Sequence, residues 1–260
     1  VVIAAGPWSA PLLKEVGLDF GIETVRHQVF LLDRGEGPAN KIPIIGDVSL
    51  NFSARPDIGN VIMVGVGEDE VVGPNEYNQS VDTDMLVKTQ ADLARRIPGL
   101  PDASFVGGWS GLFTVTPDWH PILSSIEGIE GLYVAIGFSG HGFKLSPMIG
   151  QVMSEIILRH SGYNVLNTGS HAELGNLEAM INKKNVDLIV FFLCDMQCCM
   201  ATVKDNIQKT ENQTKVLAKL AHSLGVKVIF GGQGLQFLPS VKHNTDHTFL
   251  TYNEFKRILQ

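Results

Sequence analysis

The chain has 260 residues, 44% of them hydrophobic, and a formal net charge of −7, with an isoelectric point near 5.6. That length and apolar share suffice for one large domain or two smaller ones with real cores. The acidic balance argues against a nucleic-acid or anionic-membrane surface, and no apolar run reaches the roughly 18 residues of a transmembrane helix.

Residues 1–5, Val-Val-Ile-Ala-Ala, read as a short apolar strand without a basic flank or an initiating Met, so no secretory signal is expected and the opening resembles the interior of a longer protein. A short helix over 8–16 follows Gly6-Pro7. Strands are expected at 23–33, 42–45, 50–55 and 60–64. Residues 82–96 form an amphipathic helix, with Asp82 as N-cap and Pro98-Gly99 as the stop. Strands at 104–114 and 131–136 come next. Then a helix at 145–160 places Leu145, Met148, Ile149, Val152, Ile156 and Ile157 at helical spacing.

The second half alternates more regularly: strand 163–166, helix 172–183, a fully apolar strand 186–193, a helix within 202–224, strand 226–230, the turn Gly231-Gly-Gln-Gly234, and a helix at 251–259. A β-α-β-α-β order with continuous apolar strands predicts a small doubly wound parallel sheet, Rossmann- or flavodoxin-like. Composition changes near residue 160. Eleven of the twelve prolines precede residue 150, and before residue 161 there are 10 cations against 19 acids, a net of −9. Beyond it, 10 cations face 8 acids, a net of +2. Two α/β domains, 1–160 and 161–260, follow from this break. Cys194, Cys198 and Cys199 form one cluster, which points to thiols in a reducing, cytoplasmic compartment rather than to a disulfide frame or a zinc site. The sequon at Asn212 falls in a helical stretch and carries little weight.

The most informative segment is Gly137-Phe-Ser-Gly-His-Gly-Phe-Lys144, between an apolar strand and a helix. A glycine-rich strand-to-helix turn lets backbone N–H groups approach a ligand and aims the positive end of the helix dipole at it. Lys144 falls in the first helical turn, where the dipole disfavours a cation, so an anionic ligand facing it is the simpler explanation.

Three ordered segments resemble the C-terminal part of the D-amino-acid-oxidase-like FAD-dependent oxidoreductases, of the sarcosine oxidase and dimethylglycine dehydrogenase type. They are Val1-Val-Ile-Ala-Ala-Gly-Pro-Trp-Ser9, Gly108-Trp-Ser-Gly-Leu-Phe-Thr-Val-Thr-Pro-Asp-Trp-His-Pro121 and Gly131-Leu-Tyr-Val-Ala-Ile-Gly-Phe-Ser-Gly-His-Gly-Phe-Lys-Leu-Ser-Pro147. The resemblance covers 1–160 and implies a mixed-sheet substrate-domain fragment. It implies that Gly6, Pro7 and Trp8 lie near the dinucleotide part of FAD, and that Gly137, Phe138, Ser139, Gly140, His141, Gly142, Phe143 and Lys144 meet the flavin edge. It implies that Lys144 binds a substrate carboxylate and that Thr114, with Trp109 and Asp118, shapes the site. Gly111 stands where some members attach flavin through a cysteine, so FAD would be held non-covalently. The chain has no G-x-G-x-x-G unit, so the dinucleotide-binding part, which the resemblance requires, is expected outside these residues, with a separate chain as one source.

Residues 162–260 resemble, more weakly, a flavodoxin-like cobalamin-binding domain, through Gly162-Tyr-Asn-Val-Leu-Asn-Thr-Gly169 and Val226-Lys-Val-Ile-Phe-Gly-Gly-Gln-Gly-Leu235. Its cobalt-ligand motif is missing, and His171 does not restore it. Three function classes stay open: an FAD-dependent oxidoreductase of amines or amino acids, with a small-molecule substrate and an imine product; a cobalamin-binding or regulatory module; and a fusion of two truncated domains with neither site complete.

Overall fold

In the computed structural model, which describes residues 1–35, 42–98, 100, 103–169, 174–183, 186–192 and 203–260, the chain opens with strand β1 (Val2–Ile3), a 3-10 turn over Gly6–Trp8 and helix α1 (Ser9–Glu15). Then come β2 (Glu23–Asp33), β3 (Ile45–Asp47), β4 (Phe52–Pro56), β5 (Val61–Val71), α2 (Thr83–Arg96), β6 (Ser104–Val115), β7 (Ile122–Ser125), β8 (Tyr133–Ile136) and α3 (Gly142–His160). The remainder holds α4 (Leu174–Lys183), β9 (Leu188–Phe192), α5 (Val203–Ser223), β10 (Lys227–Gly231), two 3-10 segments (Gln233–Phe237 and Pro239–His243), β11 (His247–Phe249) and α6 (Tyr252–Leu259). Two units result, Val1–Ser146 and Pro147–Gln260.

The first unit holds two sheets. The small one has the order β1-β8-β7, with β1 parallel and β7 antiparallel to β8. The large one is antiparallel, in the order β3-β4-β5-β2-β6. Period-2 alternation gives β2 two unlike faces. Phe30 and Leu32 point into a core with Ile62 and Val64 of β5 and Leu93 of α2. These four strand residues are fully buried, each contributing about 1.5–3 kcal/mol of burial free energy. The alternate positions, His27, Val29 and Leu31, are only half-buried on the other face.

Arg26 and Gln28 occupy core-side positions where the pattern calls for apolar residues, and the structure satisfies both. The buried Arg26 donates Nη1 and Nη2 to the two Asp82 carboxylate oxygens at 2.7 and 3.1 Å, Nε to Asn78 O at 2.8 Å and Nη2 to Ser80 O at 2.6 Å. Gln28 donates to Asp82 Oδ2 at 2.9 Å and accepts the Asp82 N–H at 2.8 Å. Asp82 therefore sits at the N-cap of α2, but its side chain does not cap the helix. A bidentate bond to a buried guanidinium is worth more than one capping bond of about 1 kcal/mol, and Arg26 wins the carboxylate.

The second unit is a parallel sheet in the order β11-β10-β9. Val228 and Phe230 of β10 pack with α4 and α5 through Ile181, Leu217 and Ala221. The intervening Ile229 packs with Phe249, with Phe255 of α6 and with Leu158 near the end of α3. Helices thus cover both faces. The described strands nevertheless run in one direction across the sheet, without the order reversal that defines a doubly wound fold. Helix α6 begins with a full capping box between Thr251 and Glu254.

Several sequence expectations change. No strand forms at 163–166. The strand expected at 42–45 begins only at Ile45, because Pro43 has no N–H for a ladder. Strand β5 continues to Val71 because β2 pairs along its length, and β7 was not anticipated. The division into compact units falls inside α3, and Leu158 packs within the second. The three cysteines and His171 lie outside the described residues. Among the described residues no helix is long and apolar enough to cross a membrane.

Removing Asp82 tests the Arg26 network. Asp82→Ala leaves the buried guanidinium without its bidentate partner and is expected to cost about 2 kcal/mol. The thermal midpoint, followed by circular dichroism, should fall by roughly 4–8 °C. Hydrogen bonds from Arg26, opposed by burial, hold the Asp82 carboxyl below its ordinary value of 3.8. Its contribution is complete above that value and is lost as pH falls through the lower folded-state value, so wild type and variant should converge in strong acid.

Candidate functional site

Strand β8 runs through Val134, Ala135 and Ile136, all buried, and the chain then turns through Gly137 (φ +69°), Ser139 (φ +46°) and Gly140 (φ +78°) into α3. A Cβ on Gly137 would overlap the Thr116 methyl group, and one on Gly140 would lie 2.9 Å from the Phe113 ring. Glycine is required at both places by the backbone conformation and by the neighbour. Ser139 is different: a left-handed non-glycine residue costs about 1–2 kcal/mol. Its buried N–H donates to Thr114 O at 2.8 Å, and its hydroxyl accepts the Thr116 N–H at 3.4 Å and lies 3.3 Å from Gly137 O. The loop is thereby pinned to the end of β6.

A second turn, Thr116-Pro-Asp-Trp-His120, lies directly beneath. The buried Thr116 hydroxyl donates towards His120 O at 2.8 Å, with an Asp118 carboxylate oxygen at 3.1 Å. Asp118 also accepts the His120 N–H at 3.0 Å. That N–H is the main cause holding the Asp118 carboxyl below its ordinary value. Asp118 therefore makes the turn that supports the loop. Trp119, at φ +61°, is carried out into solvent.

The Gly6–Trp8 turn joins the same construction through two strands. Thr24 Oγ1 of β2 donates to Pro7 O at 3.4 Å, Thr24 pairs in register with Thr114 of β6, and Thr114 O receives Ser139. Trp8 Nε1 donates to Asn75 Oδ1 at 2.7 Å. The Thr114 side chain is buried, so this residue acts on the loop through its carbonyl.

Along β6, Trp109, Gly111 and Phe113 share one face of the sheet, in register with Val29, His27 and Val25. A Cβ at Gly111 would meet nothing within 4 Å. The strand therefore offers a flat, side-chain-free gap between a partly exposed indole and the Phe113 ring, a surface suited to a planar ring system. Above it, His141, Phe143 and Lys144 are exposed at the start of α3. The first N–H groups of a helix lack intrahelical acceptors, so this end presents both donors and a cation. The sequence motifs at Gly6–Trp8, Gly111 and Gly137–Lys144 are thus brought together by β2 and β6. Two features were missed. The carboxylate clasp of Arg26 was signalled only by a cation at a core position of an otherwise apolar strand. The ring stack of His27 on Phe113, centroids 4.5 Å apart, depends on a register that one strand's sequence does not reveal.

The family described as FAD dependent oxidoreductase matches residues 1–156. "FAD-dependent oxidoreductase domain-containing protein 1" of Xenopus laevis is 27% identical over 183 residues, which cover 65% of this chain and 36% of that protein. Monomeric sarcosine oxidase of Streptomyces avermitilis is 29% identical over 173 residues, covering 61% of this chain and 44% of that enzyme. The crystal structure of glycine oxidase from Geobacillus kaustophilus superposes with a TM-score of 0.51 at 26% identity, covering 61% of this chain and 41% of that one. The chain thus spans less than half the length of the relatives it matches.

The loop's geometry yields a steric test. Gly137→Ala is expected to destabilise the protein by about 3 kcal/mol, from left-handed strain and overlap together. Combining it with Thr116→Ser, which deletes the overlapping methyl but keeps the hydroxyl, should recover the overlap part alone. Urea unfolding of the four proteins of this double-mutant cycle measures the difference.

Proposed function

The chain belongs to the FAD dependent oxidoreductase family through residues 1–156, and from that premise we propose that it forms the flavin-edge and substrate-facing part of an oxidoreductase acting on small amino acids or secondary amines of the glycine and sarcosine kind. The observation that carries this reading is the convergence of the pinned Gly137–Lys144 loop and the open face of β6. A bound flavin supplies the acceptor for a hydride leaving the carbon beside the amine, which becomes an imine.

The chain's own residues hold and orient. Gly111 leaves room for the ring and provides no thiol for covalent attachment. The loop N–H groups and the start of α3 stabilise negative charge that develops on the facing ligand. Lys144 pairs with the substrate carboxylate. Phe143 stands 94% exposed beside Lys144 at the start of α3. These 260 residues contain no G-x-G-x-x-G turn, so the roles proposed for them concern the flavin edge and the substrate rather than the adenosine and pyrophosphate of FAD.

The purified chain, kept in equilibrium with FAD, is expected to perturb the flavin spectrum, and acetate, a carboxylate that cannot react, is expected to change that spectrum further. Lys144→Met should keep the flavin but bind acetate about 10- to 100-fold more weakly, the loss of one charge-assisted hydrogen bond of about 1.5–3 kcal/mol. A Lys144→Met protein that binds acetate as well as wild type contradicts the role of Lys144. An FAD spectrum that the wild-type chain leaves unchanged contradicts the wider proposal.

A further inference from the structure

We infer that the cleft between helix α2 and the turn joining β3 to β4 binds a small organic carboxylate with an apolar body. None of its lining residues belongs to the flavin surface, so the site stands independently of the reading above. The cleft has a volume of about 350 Å³, at the lower end of the roughly 300–1,000 Å³ of small-molecule pockets. Its helix wall is a stripe of three charges. Lys88, Asp92 and Arg95 fall at i, i+4 and i+7 of α2, so one face of the helix carries them. Thr89 and Leu93 on the same helix are buried instead. Arg95 Nη2 lies 3.3 Å from Asp92 Oδ1, a contact that engages one of the five guanidinium donors. Two cations against one carboxylate leave this wall with a net positive charge.

The facing wall is held in place by its own hydrogen bonds. Asp47 Oδ1 accepts the Ser49 N–H at 3.0 Å, the Ser49 hydroxyl at 2.6 Å and the Leu50 N–H at 3.1 Å. Arg96 Nε reaches Asp47 Oδ2 at 3.1 Å and ties the turn to α2. Asn51 follows in the left-handed region, at φ +50°. Its carbonyl accepts the Gly67 N–H at 3.0 Å, and its side-chain amide donates to Gly67 O. A Cβ on Gly67 would lie 2.7–2.9 Å from that amide, so the clasp requires glycine there. A left-handed residue other than glycine persists only where its surroundings over-determine it, and such positions cluster at ligand sites. Leu50 and the buried Val66 give the cleft an apolar floor continuous with the core beneath the sheet.

An apolar floor beside a cationic wall selects one chemistry. Hydrocarbon leaves water for Leu50 and Val66, and a carboxylate reaches Lys88 and Arg95, the guanidinium offering paired N–H donors. The net positive charge disfavours a cationic head on the same body. Inorganic phosphate would meet the charges and leave the floor wet.

The test uses the whole chain without FAD, carrying Lys144→Met so that the other carboxylate position proposed for this chain is removed. Amide NMR signals report binding. Phenylacetate is expected to shift residues 49–51, 66 and 88–95, with a dissociation constant on the order of 1 mM. Arg95 is exposed, so Arg95→Gln should melt with its parent, yet bind phenylacetate about tenfold more weakly. Benzylamine, which carries the ring on a cation, and acetate, which lacks the ring, should each bind roughly tenfold more weakly than phenylacetate. Signals at 49–51 and 88–95 that ignore phenylacetate overturn the inference. So does an Arg95→Gln protein of unchanged affinity. Acetate or phosphate bound as tightly as phenylacetate overturns it too, because the cleft would then act as a cationic surface without a floor.

Discussion

Gly137 has no side chain, and the site is arranged around that gap. The Thr116 methyl occupies the place where a Cβ would project, which lets the end of β8 settle onto the turn after β6. With the loop that close, Ser139 can reach Thr114 O and Gly140 can lie on the Phe113 ring. The strain at Ser139, about 1–2 kcal/mol, is of the size that one good backbone hydrogen bond and its burial offset. The same settling fixes where α3 begins, and so where Lys144 and the first free N–H groups of the helix face. A loop without this keying would carry the same residues with no defined direction.

Strand β2 does comparable work between β5 and β6 of the large sheet. Three successive residues divide between its faces. Arg26 and Gln28 turn inward and clasp Asp82, tying the 78–82 segment to the strand. His27 turns outward onto Phe113. Because side chains alternate with a period of two, a one-residue slip would bury His27 and expose the guanidinium. The cost of leaving Arg26 unpaired therefore also protects the position of His27. Position on the working face is secured by energetics on the hidden one.

Much of this was readable in the amino-acid order. Strand 23–33 announces itself by its Thr, Val, Phe and Leu content, and the glycine turn at 137–144 by its composition between an apolar strand and an amphipathic helix. What stayed hidden were relations between distant residues. Asp82 followed by a helical pattern reads as a cap; only the fold brings it 2.7 Å from Arg26. His27 carries no motif, and its stack on Phe113 comes from the register of the paired strands. The segment 163–166 has a strand's composition but among the described residues no strand pairs with it, and a lone extended segment gains nothing from its apolar residues. In the second unit, alternation within β10 was legible as apolar content, while the order of the three strands across the sheet was not.

The central claim is that the Gly137–Lys144 loop and the outer face of β6 form one surface for the flavin. Amide hydrogen exchange, with and without FAD, tests it most directly. Protection concentrated at residues 137–144 and 109–113, with the second unit unchanged, is the predicted result. Exchange at both segments that is indifferent to FAD, while other segments become protected, would contradict the account.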